Sequence, residues 1–325
     1  MKLTVNMRLL AQAAHMSPEH LHRTQQFAQW LLDVGDGIVN TNDDNIALPP
    51  GTPIHPIPSS FTITFLSMHI DICLPPSDNS VKQLIEHVYP DITEVQTLPD
   101  NERQIYFSER AILAPLNKNV DEVNDQCVER LTGESRTYLS VDSAIDESNN
   151  PDHTIPLEYL NCIKLSGMPV HSITLKVGCP IILLRNLNPS AGLCNGTRLI
   201  VVSLKSRVIE ARILTGVHAG DQAFIPRLTL MTTPSSSSLP FRLRRRQFPI
   251  RIAFGMSINK SQGQSLRIIG VLLTTPVFTH GQFYVGLSRA IDREHVYISL
   301  SPTCPTTSTI NIVFREMLCR DINNR

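Results

Sequence analysis

The chain has 325 residues, 42% hydrophobic and 18% charged, with 29 basic and 29 acidic side chains and a formal net charge of zero. That length suits about two domains, and the composition supplies a core and excludes a disordered chain. No run approaches the ~18 apolar residues of a membrane helix, and the seven cysteines contain no C-x-x-C pair, so neither a zinc cluster nor a disulfide framework is indicated.

The balanced total hides a split. Residues 1–154 hold 9 Lys and Arg against 22 Asp and Glu, whereas residues 155–300 hold 17 against 5. Such asymmetry points to a polyanion partner for the basic part. The competing reading is an internal match, with the acidic part lying against the basic one, and charge alone does not separate the two.

The chain opens on "MKLTVNMRLLAQAAHM", which is basic and free of acids before Glu19, a composition compatible with a mitochondrial transit peptide. A helix is expected over 17–34. Ser17 can cap it, Pro18 suits the first helical position and Glu19 favours the positive end. Leu21, Ala28, Leu31 and Leu32 share one side, Phe27 and Trp30 lie near its edge, and "GDG" at 35–37 stops it. His20 and His22, the one close pair among eleven histidines, fall on different sides of that helix, which argues against a metal site.

Residues 40–62 read as a surface loop, "FTITFLSMHIDICL" as a strand and "VKQLIEHVYP" as a helix closed by Pro90. "RAILAP" (110–115) is a short buried strand leading into "NKNVDEVNDQCVERL", where Val120, Val123, Cys127 and Leu131 recur at helical spacing. The polar segment 141–154 resembles a linker. From 170 the pattern becomes strands: "HSITLKVG", "CPIILLRNL", "TRLIVVSL" and "VIEARILTG", with Asn195-Gly196 as a hairpin signal. A small antiparallel barrel over 155–240 is expected, followed by a flexible "TTPSSSSLP". Arg242, Arg244, Arg245, Arg246 and Arg251 then fall within ten residues. The α/β pattern resumes with "INKSQGQSL", a strand at 267–274, a helix near 281–290 and a strand at 295–300.

A nucleotide-hydrolysing motor needs a glycine-rich loop ending in Gly-Lys-Ser/Thr. None of the seven lysines follows a glycine, and neither Asp121-Glu122 nor Asp146-Glu147 follows a buried strand as a magnesium-binding pair would. Yet Ser257, Asn259, Lys260, Ser261 and Gln262, with Gly263, offer donors to phosphate oxygens. Arg289 in "YVGLSRA" can stabilise charge on a transferring phosphoryl group; its structural alternative is an ion pair with Asp292 or Glu294.

In this order and spacing, "AFGMSINKSQGQSL" followed by "FYVGLSRA" resembles the last two motifs of the PIF-type (petite integration frequency) DNA helicases, in the branch related to Helitron transposons. "LTVNMRLL" with "FAQWLLDVGDG" is similar to the family's crossover between motor lobes, "ERAILAPLNKNVDEVND" to the first unit of its second lobe, and "PLEYLNCIKLSGMPVHSITLKVGCPIILLRNLNPSAGLCNGTRLIVV" to the small barrel inserted there.

The resemblance implies an α/β fold. A RecA-like lobe over 1–154 and 241–325 is interrupted at 155–240 by an SH3-like β-barrel. It implies an ATP-dependent 5′-to-3′ helicase acting in recombination, repair and telomere maintenance, a monomer in the nucleus with the mitochondrion as alternative. ATP and Mg2+ would be held mainly by a first lobe upstream of Met1 or supplied in trans, so the isolated chain is expected to be inactive and its N-terminus an interior segment rather than a targeting peptide. Arg8 and Arg289 would be catalytic, reaching the γ-phosphate, with Gln262 and Gly263 also on the ATP side. Asn117, Lys118, Ser257, Asn259, Lys260 and Ser261, together with Arg244, Arg245 and Arg246, would contact single-stranded DNA. The alternative is a truncated, non-catalytic paralogue that binds single-stranded DNA or another helicase's first lobe. Phe241, Phe248 and Phe254 are stacking candidates, with buried core as their competing role. Gly255 and Gly286 stand where the family more often has alanine, and residues 55–69 match no family segment.

Overall fold

The computed structural model describes residues 17–38, 63–67, 73–74, 79–146, 150–152, 154–232, 239–301 and 308–314. The chain divides into two compact units. One comprises Met1–Pro90, Glu109–Val123 and Gly255–Arg325, the other Asp91–Ser108 and Asn124–Phe254.

The first unit is built on a parallel sheet. Strands β2 (Arg110–Ala114), β14 (Gly255–Ser257), β15 (Ile268–Leu273) and β16 (Val296–Leu300) lie in the order β14-β2-β15-β16, all parallel. Their near-continuous apolar runs suit strands covered on both faces. Helix α1 (Pro18–Gly35) starts as the sequence predicts, with the Ser17 hydroxyl accepting from the His20 amide and Pro18 in the first turn. Its buried stripe is Thr24, Phe27, Leu31 and Val34, at i, i+3, i+7 and i+10. Phe27 thus lies at the centre of the stripe rather than its edge, and Leu32, expected inside, is exposed. That stripe and the short helix α6 (Gln282–Leu287) pack on Ala111, Leu113, Ile269, Val271 and Leu273. Alternation along β15 turns Gly270 to the other face, under helix α2 (Ser80–Val88). A methyl group at 270 would come within 2.8 Å of the Val88 side chain, so the close approach of α2 requires glycine. Of segment 55–69, residues Ile63–Ser67 form β1, antiparallel to β17 (Ser308–Ile312).

The second unit is mostly antiparallel. One sheet runs β10-β9-β8-β7-β13, made of Gln222–Pro226, Val208–Ile213, Arg198–Leu204, Pro180–Leu183 and Ile250–Ile252. Another runs β11-β12-β4-β5, made of Leu228–Met231, Arg242–Gln247, Val141–Ile145 and Pro151–Asp152, and β3 (Ser135–Leu139) pairs with β6 (Ser172–Lys176). The unit also holds helix α3 (Asp100–Ser108), the second half of α4 (Asn117–Arg130) and the short α5 (Leu157–Cys162). Three expectations change here. Residues 141–154, which resemble a linker, supply β4 and β5, because β12 offers β4 a partner distant in sequence. The arginine run is itself a strand of this unit. The Asn195-Gly196 turn closes through Thr197 N to Cys194 O (3.0 Å) with positive φ at Gly196 alone, and β7 and β8 are joined by a longer loop rather than a two-residue hairpin. The fold class is as expected in its mixed α/β character, a parallel-sheet lobe with a mostly antiparallel β unit inserted in the chain.

Candidate nucleic-acid and nucleotide interface

β2 and β14 end side by side, with Ala114 opposite Ser257 in the parallel register. The first turn of α4 and the loop after Ser257 therefore leave the sheet at the same, carboxyl edge. Asn119 Nδ2 donates to Thr274 Oγ1 (2.6 Å), tying the end of β15 to the same place. In open α/β sheets ligands bind in the crevice outside the carboxyl ends of the strands. Asn117 and Lys118 are exposed there, on the positive end of α4.

The loop itself is a single 3₁₀ turn, Ile258–Ser261. Ile258 is buried among α6 and β2, whereas Asn259, Gln262 and Gly263 are exposed and Ser257 and Lys260 half-buried. Gly263 takes φ +82 and a Cβ there would meet nothing, so the glycine serves the backbone conformation. Ser261 differs from its neighbours. It is fully buried and its hydroxyl donates to the Ile258 carbonyl at 2.7 Å, which makes it an internal cap of the turn rather than a phosphate ligand.

Arg289 holds this loop from below. Nε donates to Val285 O (2.8 Å), Nη1 to Gln264 O (3.1 Å) and Ser261 O (3.4 Å), and Nη2 to Ser288 Oγ (2.8 Å). The Leu266 amide donates back to Arg289 O. Asp292 meets His20, and Glu294 meets Arg23. Loop and arginine are thus brought together, but through carbonyls that a guanidinium satisfies with its planar fork. Arg8 lies outside the described residues.

The arginine run alternates. Along β12, Arg244 and Arg246 face solvent while Leu243, Arg245 and Gln247 face inward. Arg245 is fully buried and donates from Nε and Nη2 to the two oxygens of Asp142 (2.9 and 2.7 Å), and further to Ile163 O, Pro169 O and Leu160 O. All five N–H groups are used inside the protein, so Arg245 has none left for DNA. Phe241, Phe248 and Phe254 are buried, which places them in the core rather than on a base-stacking surface.

Sequence reasoning passed over other residues. Arg198 is fully buried and caps the carboxyl end of α3, donating to Phe107 O (3.0 Å) and Ser108 O (3.4 Å). Arg136 and Arg227 lie over the Tyr138 ring, 5.4 and 5.7 Å from its centroid. Nothing in their local sequence marks them: Arg136 shares β3 with Tyr138, and Arg227 reaches the same ring from the junction of β10 and β11. The surface side chains of the loop offer hydrogen-bond donors of the kind that phosphate oxygens accept. Among the described residues no group of three or more His, Cys, Asp or Glu is placed to hold a metal ion, so no described residue is assigned to Mg2+.

This geometry defines a class: an α/β lobe on a parallel sheet with an antiparallel unit inserted in the chain and a donor-rich loop at the carboxyl edge of its sheet. Residues 158–204 match the family model described as DNA helicase Pif1, 2B domain. The human ATP-dependent DNA helicase PIF1 is 32% identical over 170 residues, 51% of this chain and 23% of the relative. Its counterpart from Xenopus laevis is 31% identical over 180 residues, 54% of this chain and 25% of the relative. The matches span about a quarter of the length of these relatives. Pif1 helicase from Candida albicans superposes with a TM-score of 0.45 at 21% identity, over 67% of this chain and 53% of that one. Bacteroides Pif1 bound to ssDNA gives 0.42 at 20%, over 70% and 49%. This chain is similar to the PIF1-type DNA helicases over about half of its own length.

Proposed function

We propose that the chain is the second motor lobe, with its inserted domain, of an ATP-dependent DNA helicase that moves 5′-to-3′ on single-stranded DNA. One observation carries the reading: a loop of surface donors, Asn259 to Gly263, leaves the carboxyl edge of a parallel sheet and is held by the single arginine, Arg289, of "GLSRA". The strand contacts are Asn117, Lys118, Ser257, Asn259, Lys260, Arg244 and Arg246, while Gln262, Gly263, Arg8 and Arg289 serve the nucleotide. ATP and Mg2+ are held mainly by a first lobe, in the same polypeptide or in trans. The protein works as a nuclear monomer in recombination, repair and telomere maintenance.

A specific sequence feature favours a second reading, a non-catalytic single-strand-binding paralogue: no lysine in these 325 residues follows a glycine. ATP hydrolysis with and without single-stranded DNA, beside a salt-dependent binding curve, separates them. Binding without hydrolysis that becomes DNA-stimulated hydrolysis when a PIF1-type first lobe is added supports the motor-half reading. Binding without hydrolysis under both conditions supports the second. Absence of single-strand binding overturns both.

A further inference from the structure

Sheet register assembles a basic strip in the second unit that no single stretch of sequence contains. Arg244 and Arg246 lie two residues apart on the solvent side of β12, about 7 Å along the strand. Their cross-strand neighbours are Met231 and Thr229 on β11, and Ser143 and Val141 on β4, none of them acidic. Arg227, at the junction of β10 and β11, lies near Arg246 and shares the Tyr138 ring with Arg136, which continues the line. The Arg227 guanidinium sits 4.9 Å from the centroid of Phe248 and 5.7 Å from that of Tyr138, and donates to Leu139 O at 2.6 Å. Arg136 donates to Leu204 O (2.7 Å), and the Tyr138 hydroxyl donates to Lys205 O (2.9 Å). That anchors the exposed turn carrying Lys205 and Arg207 at the end of the line.

Two rings thus form a floor under arginines that stand close enough to repel. Burial against that floor, with Arg246 nearby, pushes the Arg227 guanidinium below its ordinary value. Like charges held together by backbone carbonyls are relieved by an anion lying along them, and an arginine lying over a ring is weakly hydrated and gives up water readily to phosphate. Arg244 and Arg246 stand in single file along one strand, which suits one backbone rather than the two of a duplex. Tyr138 and Phe248 are covered, leaving no open ring for base stacking, so recognition is of the backbone and independent of sequence.

We propose that Lys205, Arg207, Arg136, Arg227, Arg246 and Arg244 form a second nucleic-acid track, binding the phosphodiester backbone of a single strand. The inference rests on the proposed function for the kind of polyanion involved and for Arg244 and Arg246, and adds four residues that the proposed site does not contain: Lys205, Arg207, Arg136 and Arg227.

The test is fluorescence anisotropy of the full chain with a labelled oligothymidylate over a range of salt. Neutralising two contacts in R244A/R246A lowers the salt slope by about 1.4 and weakens binding about 25-fold near 0.1 M salt, taking ~0.7 in slope per phosphate of a single strand. R244K/R246K retains the slope, and matching thermal melts exclude unfolding as the cause. R136A and R227A, outside the loop and outside the run, each lower the slope by about 0.7. An unchanged slope in all three alanine variants overturns the track while leaving the loop reading standing if N259A/K260A still abolishes binding. Loss in the strip variants with none in N259A/K260A keeps the track and removes the loop. Competition by polyglutamate as effective as by the oligonucleotide would reassign the strip to an acidic protein partner, and preference for blunt duplex over single strand would overturn the single-strand assignment.

Discussion

Arg245 and Asp142 meet as a planar fork, Nε to Oδ1 at 2.9 Å and Nη2 to Oδ2 at 2.7 Å, with neither side chain exposed. Three backbone carbonyls complete the arginine, and Ser140 Oγ donates to Asp142 at 2.6 Å. Removing one partner strands a buried charge. Arg245→Ala is expected to destabilise the protein by about 3–5 kcal/mol, whereas Arg244→Ala changes stability by less than about 0.5 kcal/mol. Urea denaturation compares them, and equal midpoints would refute the assignment of Arg245 to the core.

Arg289 joins the loop to α6 through the carbonyls of Ser261, Gln264 and Val285. Arg289→Ala is expected to raise amide hydrogen exchange at 261–266 by tenfold or more, corresponding to about 1.4 kcal/mol of lost local stability. Arg289→Lys recovers little, because a point charge does not reproduce the fork. Unchanged exchange would mean the loop holds itself.

The glycines at 270 and 286 are expected to respond oppositely. A Cβ at Gly286 would make ordinary contact with Ile258 at 3.6 Å, inside a helix and at negative φ. Gly286→Ala should stabilise by about 0.5–1 kcal/mol. At Gly270 the same methyl meets Val88 at 2.8 Å and Leu84 at 3.0 Å, so Gly270→Ala should cost about 1–3 kcal/mol. Thermal melts that shift in the same direction for both would contradict this packing.

Cys127 and Cys179 are fully buried, and burial pushes both thiols far above their ordinary value of 9.0. In the unfolded chain they ionise near that value. Above it the unfolded state releases protons that the folded state keeps, so stability is intact below pH 9 and falls as pH rises further, by about 1.4 kcal/mol per pH unit for each thiol. Replacing both by alanine removes this component of the slope between pH 9 and 10.5; an unaltered slope would show that the thiols are not protected. Exposed Cys162 should react with iodoacetamide in the native protein while these two do not.

Much of the architecture was legible because it is local. Ser17-Pro18-Glu19 caps a helix by neighbouring contacts alone, and "RAILAP" and "RIIGVLLT" are apolar runs that only strands covered on both faces tolerate. The order of "INKSQGQSL" and "GLSRA" likewise carries the family in the residues themselves.

The tertiary structure decided what long-range pairing decides. The sequence presents Arg244, Arg245 and Arg246 as equivalent; the period of two in β12, fixed by its partners β4 and β11, sends the middle one to Asp142, 103 residues away, and the other two to solvent. Ser261 looked like a phosphate donor until the turn folded its hydroxyl back onto Ile258. Arg136 and Arg227, unmarked in the sequence, became neighbours only through the ring of Tyr138. Residue type and spacing determined which chemistry this chain can present, and strand register, which depends on partners far along the chain, determined which of those side chains reach the surface.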